Sequence, residues 1–218
     1  MKKFIMVVSL MTLLGCKKND KSNVLQFQQT LDKLLDEKNY TVDYRKSIND
    51  SIHEFRGFNK NYILTGVYNK QPSEKTDWWT LYDRKKNKLL KVEFLDTGEK
   101  IIKNQIIFYN NKNIDTLSSK FYEKLHIDKK KIMYKFYTPI NQYSDSKLYT
   151  HLIYAFYTDK NNIQKKDLEL KKNGSHSEAI ISIPEQKNLF KAVFIEREIN
   201  AKNSSEGINQ IFIEDTIK

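Results

Sequence analysis

Hydrophobic and polar positions follow a helical period near the start of the chain and a strand period almost everywhere after it. Between residues 24 and 40, apolar side chains recur at three- and four-residue intervals: Val24, Phe27, Leu31, Leu34 and Leu35. This spacing places them in one stripe of an amphipathic helix, and Asn23 is suited to cap its N-terminus. The sequence therefore predicts a helix over residues 24–40, either packed against a sheet or presented to a partner.

From residue 43 onward the period of the apolar positions changes to two. Short segments rich in aromatic and β-branched residues are separated by polar turn residues, at 62–68, 78–82, 89–95 and 103–109. Within the third segment, Leu90, Val92 and Phe94 alternate with charged residues, which is typical of a strand with one buried face. Residues 52–56 fit either a short strand or the end of a helix.

Residues 41–125 also repeat short aromatic motifs at hairpin spacing. The motifs are LTGVY (64–68), DWWTLYD (77–83), KVEF (91–94), QIIFY (105–109) and SSKFY (118–122). This set resembles the degenerate MORN-like β-hairpin repeats of small bacterial lipoproteins, in which a glycine beside an aromatic residue turns each hairpin. Gly66 keeps that glycine, whereas Asp77 stands where the family has glycine before its tryptophan. The resemblance implies a sheet of stacked hairpins that contacts proteins or lipids rather than catalysing a reaction.

The C-terminal part, residues 126–218, alternates with the same period of two. Ile132, Tyr134 and Phe136 share one face of a predicted strand, and further strands are indicated at 148–157, 165–172, 175–183, 189–196 and 208–217. Asn173-Gly174 predicts a hairpin with a type I′ turn, whose two central residues need positive φ. Strands without intervening helices predict an antiparallel β-sandwich. It resembles the immunoglobulin-like or transthyretin-like modules that end many cell-surface lipoproteins.

The first sixteen residues indicate where the protein is sent. Lys2 and Lys3 precede an uncharged apolar run that ends in LLGC at residues 13–16, the pattern of a secretory signal that is too short to span a bilayer. The closing tetrapeptide resembles the bacterial lipobox. This implies cleavage after residue 15, palmitate-type diacylation of Cys16, and a polar tether at residues 16–23. An ordinary signal peptide and an uncleaved anchor are the alternatives.

Composition and charge narrow the choice of partner. The chain has 13 Tyr, 12 Phe and only 6 Gly, which favours strands, and its formal net charge is +11. A basic protein is suited to polyanions, but an exported chain whose lysines are spread along its length is not expected to bind nucleic acid. The basic runs at 84–86, 129–131 and 171–172 are interpreted as solvated hairpin ends.

No pattern of catalytic or metal-binding residues emerges. The four histidines are well separated, at His53, His126, His151 and His176, and no recognised catalytic motif is present. His151 is expected to be a hydrogen-bonded structural residue on the face of Tyr149 and Ile153. Glu196 and Glu198, like Glu214 and Asp215, are interpreted as solvent-facing strand ends. We therefore expect no enzyme activity, no metal and no cofactor.

The best candidates for a surface contact are Trp78, Trp79 and Tyr82. Adjacent side chains in a strand point to opposite faces, so one tryptophan can be core while the other covers a helix, a neighbouring hairpin or a ligand. Core packing against the predicted helix is the alternative to a surface contact. Together these observations predict a mainly β protein anchored by lipid in a bacterial cell envelope, on a membrane face that the sequence does not specify. Its expected role is a non-catalytic scaffold or protein-interaction module. The alternative is a binding module for glycan or for an anionic polymer or lipid.

Overall fold

The computed structural model describes residues 21–69, 74–139, 146–157, 163–184, 188–200 and 206–217. The predicted signal peptide, Cys16 and the first residues of the predicted tether lie outside the described residues. Within these ranges the chain forms one α-helix, one short 3₁₀ turn and fifteen strands. The prediction of a mainly β protein with antiparallel sheets and an N-terminal helix is therefore confirmed.

The elements follow the chain in a simple order. Helix α1 spans Lys21–Leu35 and the 3₁₀ turn spans Glu37–Asn39. The strands are β1 (Thr41–Ser47), β2 (Ile52–Phe58), β3 (Tyr62–Asn69), β4 (Glu74–Asp83), β5 (Lys88–Asp96), β6 (Ile101–Asn110), β7 (Asn113–Ile114), β8 (Phe121–Asp128), β9 (Lys131–Tyr137), β10 (Ser146–Tyr157), β11 (Ile163–Glu169), β12 (Lys172–Asn173), β13 (His176–Ser182), β14 (Asn188–Asn200) and β15 (Glu206–Ile217). The segment at 52–56, which the sequence left open, belongs to a strand.

The predicted bounds of the helix were wrong at both ends. Lys21, where the described residues begin, is already helical, so the helix starts before residue 24 and Asn23 lies within it. It stops at Leu35 because Asp36 is extended (φ −74°, ψ 112°) and its Oδ1 accepts a hydrogen bond from the Lys38 N–H. Just beyond, the Asn39 amide and the Tyr40 hydroxyl donate to carbonyl groups of the last helical turn, which caps the helix.

The first sheet contains β1 to β7, each strand lying beside its neighbour in the sequence. This order is that of a meander of hairpins. Helix α1 lies against β4, and Leu31 and Leu35 on its apolar stripe are almost fully buried. Opposite them the sheet contributes buried apolar side chains from its central strands: Phe55, Leu64, Trp79, Leu81, Leu90 and Val92. Of the two possibilities that the sequence left open for the helix, packing against a sheet is therefore the one observed.

Two four-stranded sheets form the C-terminal part, in the orders β11-β10-β14-β15 and β12-β13-β9-β8. Their inner faces share one apolar core, in which Phe136 of one sheet stacks on Phe194 of the other at 4.3 Å between ring centroids. Two antiparallel sheets that face each other across such a core form a β-sandwich. After β11 the chain leaves one sheet and β12 joins the other, while the Leu170 N–H bonds to the Thr150 carbonyl.

The chain divides into two compact units at positions that differ from the predicted boundary after residue 125. One unit contains the described residues up to Lys103 together with 108–114, and the other contains 104–107 and the chain from Asp115 onward. Residue 125 lies inside β8, which pairs with β9 over its whole length. The prediction was wrong because β8 looks like one more hairpin strand of the first series, and sequence alternation does not reveal which neighbour it pairs with.

The predicted hairpin at Asn173-Gly174 exists, but its turn is one residue further on. Asn173 pairs with His176, so Gly174 and Ser175 are the central residues of the turn. Gly174 has a φ of +61°. Glycine at the first central position is typical of a type II′ turn rather than the expected type I′.

Candidate interaction surface

The two faces of the first sheet have different surroundings. On one face lies helix α1, whose Phe27 ring is 5.9 Å from that of Phe108 on β6. Trp79 points to the same side, where its ring makes an edge contact with Phe94 on β5. Because side chains alternate along β4, Trp78, Thr80 and Tyr82 point to the other face. The predicted contact residues are therefore divided between two faces of one sheet.

Trp79 is a core residue, as expected for one of the two tryptophans, and its inclusion among the surface-contact candidates was therefore wrong. Its side chain is fully buried and stacks on Phe55, with 5.5 Å between the ring centroids. The indole Nε1–H donates a 2.7 Å hydrogen bond to the Val67 carbonyl. The six-membered and five-membered rings lie directly on Gly66, where any Cβ would overlap them. Gly66, in the middle of β3, thus leaves the space that the buried indole of Trp79 occupies.

Trp78 and Tyr82 remain accessible, and each is about half-buried. Across the strand pairs, Tyr82 is opposite Ile63 on β3 and Trp78 is opposite Glu93 on β5. Phe58 on β2 belongs to the same face, because it follows Gly57, which is buried beside Tyr40, and it is 38% exposed. This face therefore offers several aromatic side chains that the core does not use.

Three of the aromatic rings on this face are each covered by a cation. The Lys91 ammonium lies 3.9 Å from the centre of the Trp78 ring, and Lys88 lies 5.0 Å from that of Tyr109. The Arg84 guanidinium lies 5.5 Å from the Phe58 ring. These distances are those of cation–π contacts. We call this surface the cation–aromatic face, defined by Phe58, Trp78, Tyr82, Tyr109, Arg84, Lys88 and Lys91.

Lys91 is held in an unusual environment. Burial lowers the pKa of its ammonium group, and the like charge of Lys88 acts in the same direction, whereas Asp77 and Glu93 oppose the shift. A cation that is partly removed from water gains more from a carboxylate or another acceptor than a fully solvated one does. The Lys91 ammonium is therefore less hydrated than that of a dispersed surface lysine, and Asp77 and Glu93 are the carboxylates that act on it.

A shallow groove of about 560 Å³ lies at the C-terminal end of α1 in the first unit. Its lining combines acids and bases, and the Lys103 ammonium pairs with Asp32. Lys75 reaches across it to lie 4.9 Å from the Trp79 ring. Three of its charged side chains, those of Asp32, Lys75 and Lys103, are thus engaged with neighbouring side chains.

In the second unit the carboxylates of β14 are inside the sandwich. Glu196 and Glu198 are 2% and 6% exposed, so their interpretation as solvent-facing strand ends was wrong. They continue the inward row that begins with Phe190, and Thr138, Lys172 and Asn209 all bond to the Glu196 carboxylate. The Lys172 ammonium is 2.8 Å from Glu196 Oε2 and its side chain is 13% exposed, so its interpretation as part of a solvated hairpin end was wrong. The two side chains form a buried ion pair whose carboxylate also accepts hydrogen bonds from Thr138 and Asn209. The apolar core ends at this polar cluster.

The remaining candidates stay dispersed. His151 lies on the face of Tyr149 and Ile153 as expected, with its Nδ1 3.1 Å from an Asp167 carboxylate oxygen. The described residues contain no group of three or more side chains placed to bind a metal ion. Within the same ranges no helix is both long and apolar enough to cross a bilayer.

The chain was compared with known protein families and with curated proteins. A scan against protein-family models found no match, and a search of curated proteins found no similar sequence.

Sequence reasoning found Trp78 and Tyr82 but missed the cations beside them. Arg84 was interpreted as part of a solvated hairpin end, and the turn it belongs to is indeed there, since Lys86 N–H bonds to the Asp83 carbonyl. The available signal was strand alternation: Lys91 lies on the opposite side from buried Leu90 and Val92, as Trp78 lies opposite buried Trp79. Pairing β4 with β5 by that rule would have placed the ammonium beside the indole.

Proposed function

We propose that this chain is a non-catalytic interaction protein, held at a bacterial envelope membrane by lipid on Cys16, whose cation–aromatic face binds an acidic partner protein. The observation that carries the proposal is the set of three cations stacked on aromatic rings of one sheet face. Aromatic residues and arginine are the side chains that dominate binding energy in protein interfaces. Stacking holds each cation in place, so less freedom is lost when a partner carboxylate arrives.

Photo-crosslinking tests the binding face. Phe58 and Tyr149 are matched positions, since both are aromatic and they are 38% and 41% exposed. We expect benzoylphenylalanine at position 58 to give a discrete adduct in cells, and expect none from position 149 in the second unit. Charge reversal by Lys91→Glu should remove the adduct. Absence of an adduct from position 58, or the same adducts from both positions, would refute the proposed face.

The lipid anchor is tested separately. Growth with an alkyne-tagged fatty acid should label the wild-type chain and leave Cys16→Ala unlabelled, because Cys16 is the only cysteine. A mature chain that keeps its first methionine and carries no label would refute the anchor while leaving the binding face untouched.

The alternative ligand class is an acidic polysaccharide. The cation–aromatic face favours it less, because Lys91 already covers one side of the Trp78 ring, which is the surface that a sugar would stack on. Binding of an acidic polysaccharide that Lys91→Glu abolishes, without any protein adduct from position 58, would favour this ligand over a protein.

A further inference from the structure

The turn between β8 and β9 has an unusual combination of side chains. All seven residues from 125 to 131 (LHIDKKK) are exposed, including Leu125 at 43% and Ile127 at 48%. Three consecutive lysines, at 129–131, complete the turn. We call residues 125–131 the hairpin tip. Water-exposed leucine and isoleucine beside a run of cations are not required by the sandwich core, which is formed by the other face of β9.

The hairpin tip has a defined shape. A bulge between His126 and Asp128 leaves Ile127 outside the regular pairing of β8 with β9. Asp128 Oδ1 accepts a 2.7 Å hydrogen bond from the Lys130 N–H, and the Lys130 carbonyl accepts one from Ile183. The apolar and basic side chains are therefore presented by a fixed backbone.

Apolar surface continues from the tip along the outer face of the sheet. Leu125 is the cross-strand neighbour of Met133, which in turn is the neighbour of Ile180 on β13. Ile180 is 57% exposed. These residues lie on the side away from the core, because the intervening Ile132 and Tyr134 are fully buried. The exposed patch is thus larger than one or two isolated side chains, which would need no explanation.

We propose that the hairpin tip docks on an anionic lipid bilayer, with Leu125 and Ile127 entering the boundary of the acyl chains and Lys129, Lys130 and Lys131 contacting lipid phosphates. Apolar residues flanked by lysines are the composition of interfacial membrane-binding segments, and clustered lysines are attracted to anionic headgroups. Asp128, the one acid of the tip, accepts the turn hydrogen bond from Lys130. This docking is independent of the proposed cation–aromatic face and does not require an acyl chain on Cys16.

A fluorophore on the tip tests the contact directly. In the full chain carrying Cys16→Ala, a single cysteine introduced by Ile127→Cys is labelled with an environment-sensitive NBD group. Ile208→Cys is the matched control, since Ile208 is 55% exposed on β15. We expect a blue shift and brighter emission at position 127 with vesicles containing phosphatidylglycerol, little change with pure phosphatidylcholine, and no change at position 208. No shift at 127, or equal shifts at both positions, would overturn the proposal.

Replacement of the lysines tests the charge. The triple variant Lys129→Gln, Lys130→Gln, Lys131→Gln should need at least tenfold more lipid to reach half of the maximal NBD shift. Changing the exposed Lys165, Lys166 and Lys171 to glutamine removes the same charge and should alter it less than twofold. Equal weakening by both triple variants would show a non-specific charge effect and refute docking by the hairpin tip. Far-UV circular dichroism of each variant without vesicles verifies its fold.

Discussion

The close contact between Gly66 and Trp79 predicts that the first unit does not tolerate a side chain at position 66. A Cβ at position 66 would overlap three atoms of the indole ring. The ring cannot move away freely, because it stacks on Phe55 and donates to the Val67 carbonyl at 2.7 Å. Gly66→Ala must therefore displace the ring or bend β3.

The magnitude follows from what a displaced ring loses. Overpacking a close-packed core costs about 1–3 kcal/mol, a lost aromatic stack about 0.5–1.5 kcal/mol, and a buried N–H without a partner about 1–3 kcal/mol. These costs are alternatives as much as additions, since the ring escapes the clash by giving up the other contacts. We expect Gly66→Ala to reduce the free energy of unfolding by about 2–4 kcal/mol.

Urea unfolding followed by tryptophan fluorescence measures this effect in the first unit, because both tryptophans of the chain lie there. With a denaturant dependence of about 2 kcal/mol per molar urea, the midpoint should fall by about 1–2 M. Gly207→Ala is the control. Gly207 is also in a strand, has nothing within 4 Å of an added Cβ, and should be neutral or slightly stabilising when followed by circular dichroism.

A double variant decides whether the indole is the cause. In a Trp79→Leu background, where the ring is absent, Gly66→Ala should cost much less than in the wild type, and the difference is the coupling energy of the pair. Equal costs in the two backgrounds would refute the steric explanation, as would a wild-type midpoint that Gly66→Ala leaves unchanged.

Two further predictions concern the second unit. Lys172→Met should destabilise it by about 3–5 kcal/mol, because the buried Glu196 carboxylate loses its cation. Lys191→Met is the control, since it breaks an exposed pair and should cost less than about 1 kcal/mol. Urea unfolding followed by circular dichroism measures both. Burial, helped by the nearby Asp215 carboxylate, raises the pKa of Tyr134 above its ordinary value of 10.0. A folded-state pKa above the unfolded value means that stability is full below pH 10 and falls as the pH rises beyond it. Thermal unfolding between pH 9 and 11 should show that fall in the wild type and a smaller one in Tyr134→Phe; equal slopes would contradict it.

Much of the fold could be predicted from the sequence because strand alternation records which side chains are buried. Ile132, Tyr134 and Phe136, predicted to share a face, all point into the sandwich core. Pairing could not be predicted in the same way, since β8 has the same alternation whether it continues the first meander or starts the second unit. The position of the turn after Asn173 was missed for a similar reason, because glycine suits either register.

The candidate sites show a different limit. Glu196 was placed on the correct strand, and alternation from Phe190 through Phe194 already put it on the inward face. Its charge led to the opposite interpretation, since a carboxylate is rarely buried unless it is paired. The partner that resolves the conflict, Lys172, comes from another strand 24 residues earlier in the chain, and no local pattern connects the two.

The lysines of this protein lie in physically different environments, and the environment of each decides what it does. Lys172 is enclosed with a carboxylate and supports the core. Lys91 is stacked on an indole and is partly buried, and the lysines at 129–131 are exposed beside apolar residues. A net charge of +11 therefore contains at least three physically different kinds of cation. Salt should separate them: exposed charges are screened strongly and enclosed ones weakly. Membrane docking by the hairpin tip should consequently weaken at salt concentrations that leave the stability supplied by Lys172 almost unchanged, and binding through the cation–aromatic face should respond between these two extremes.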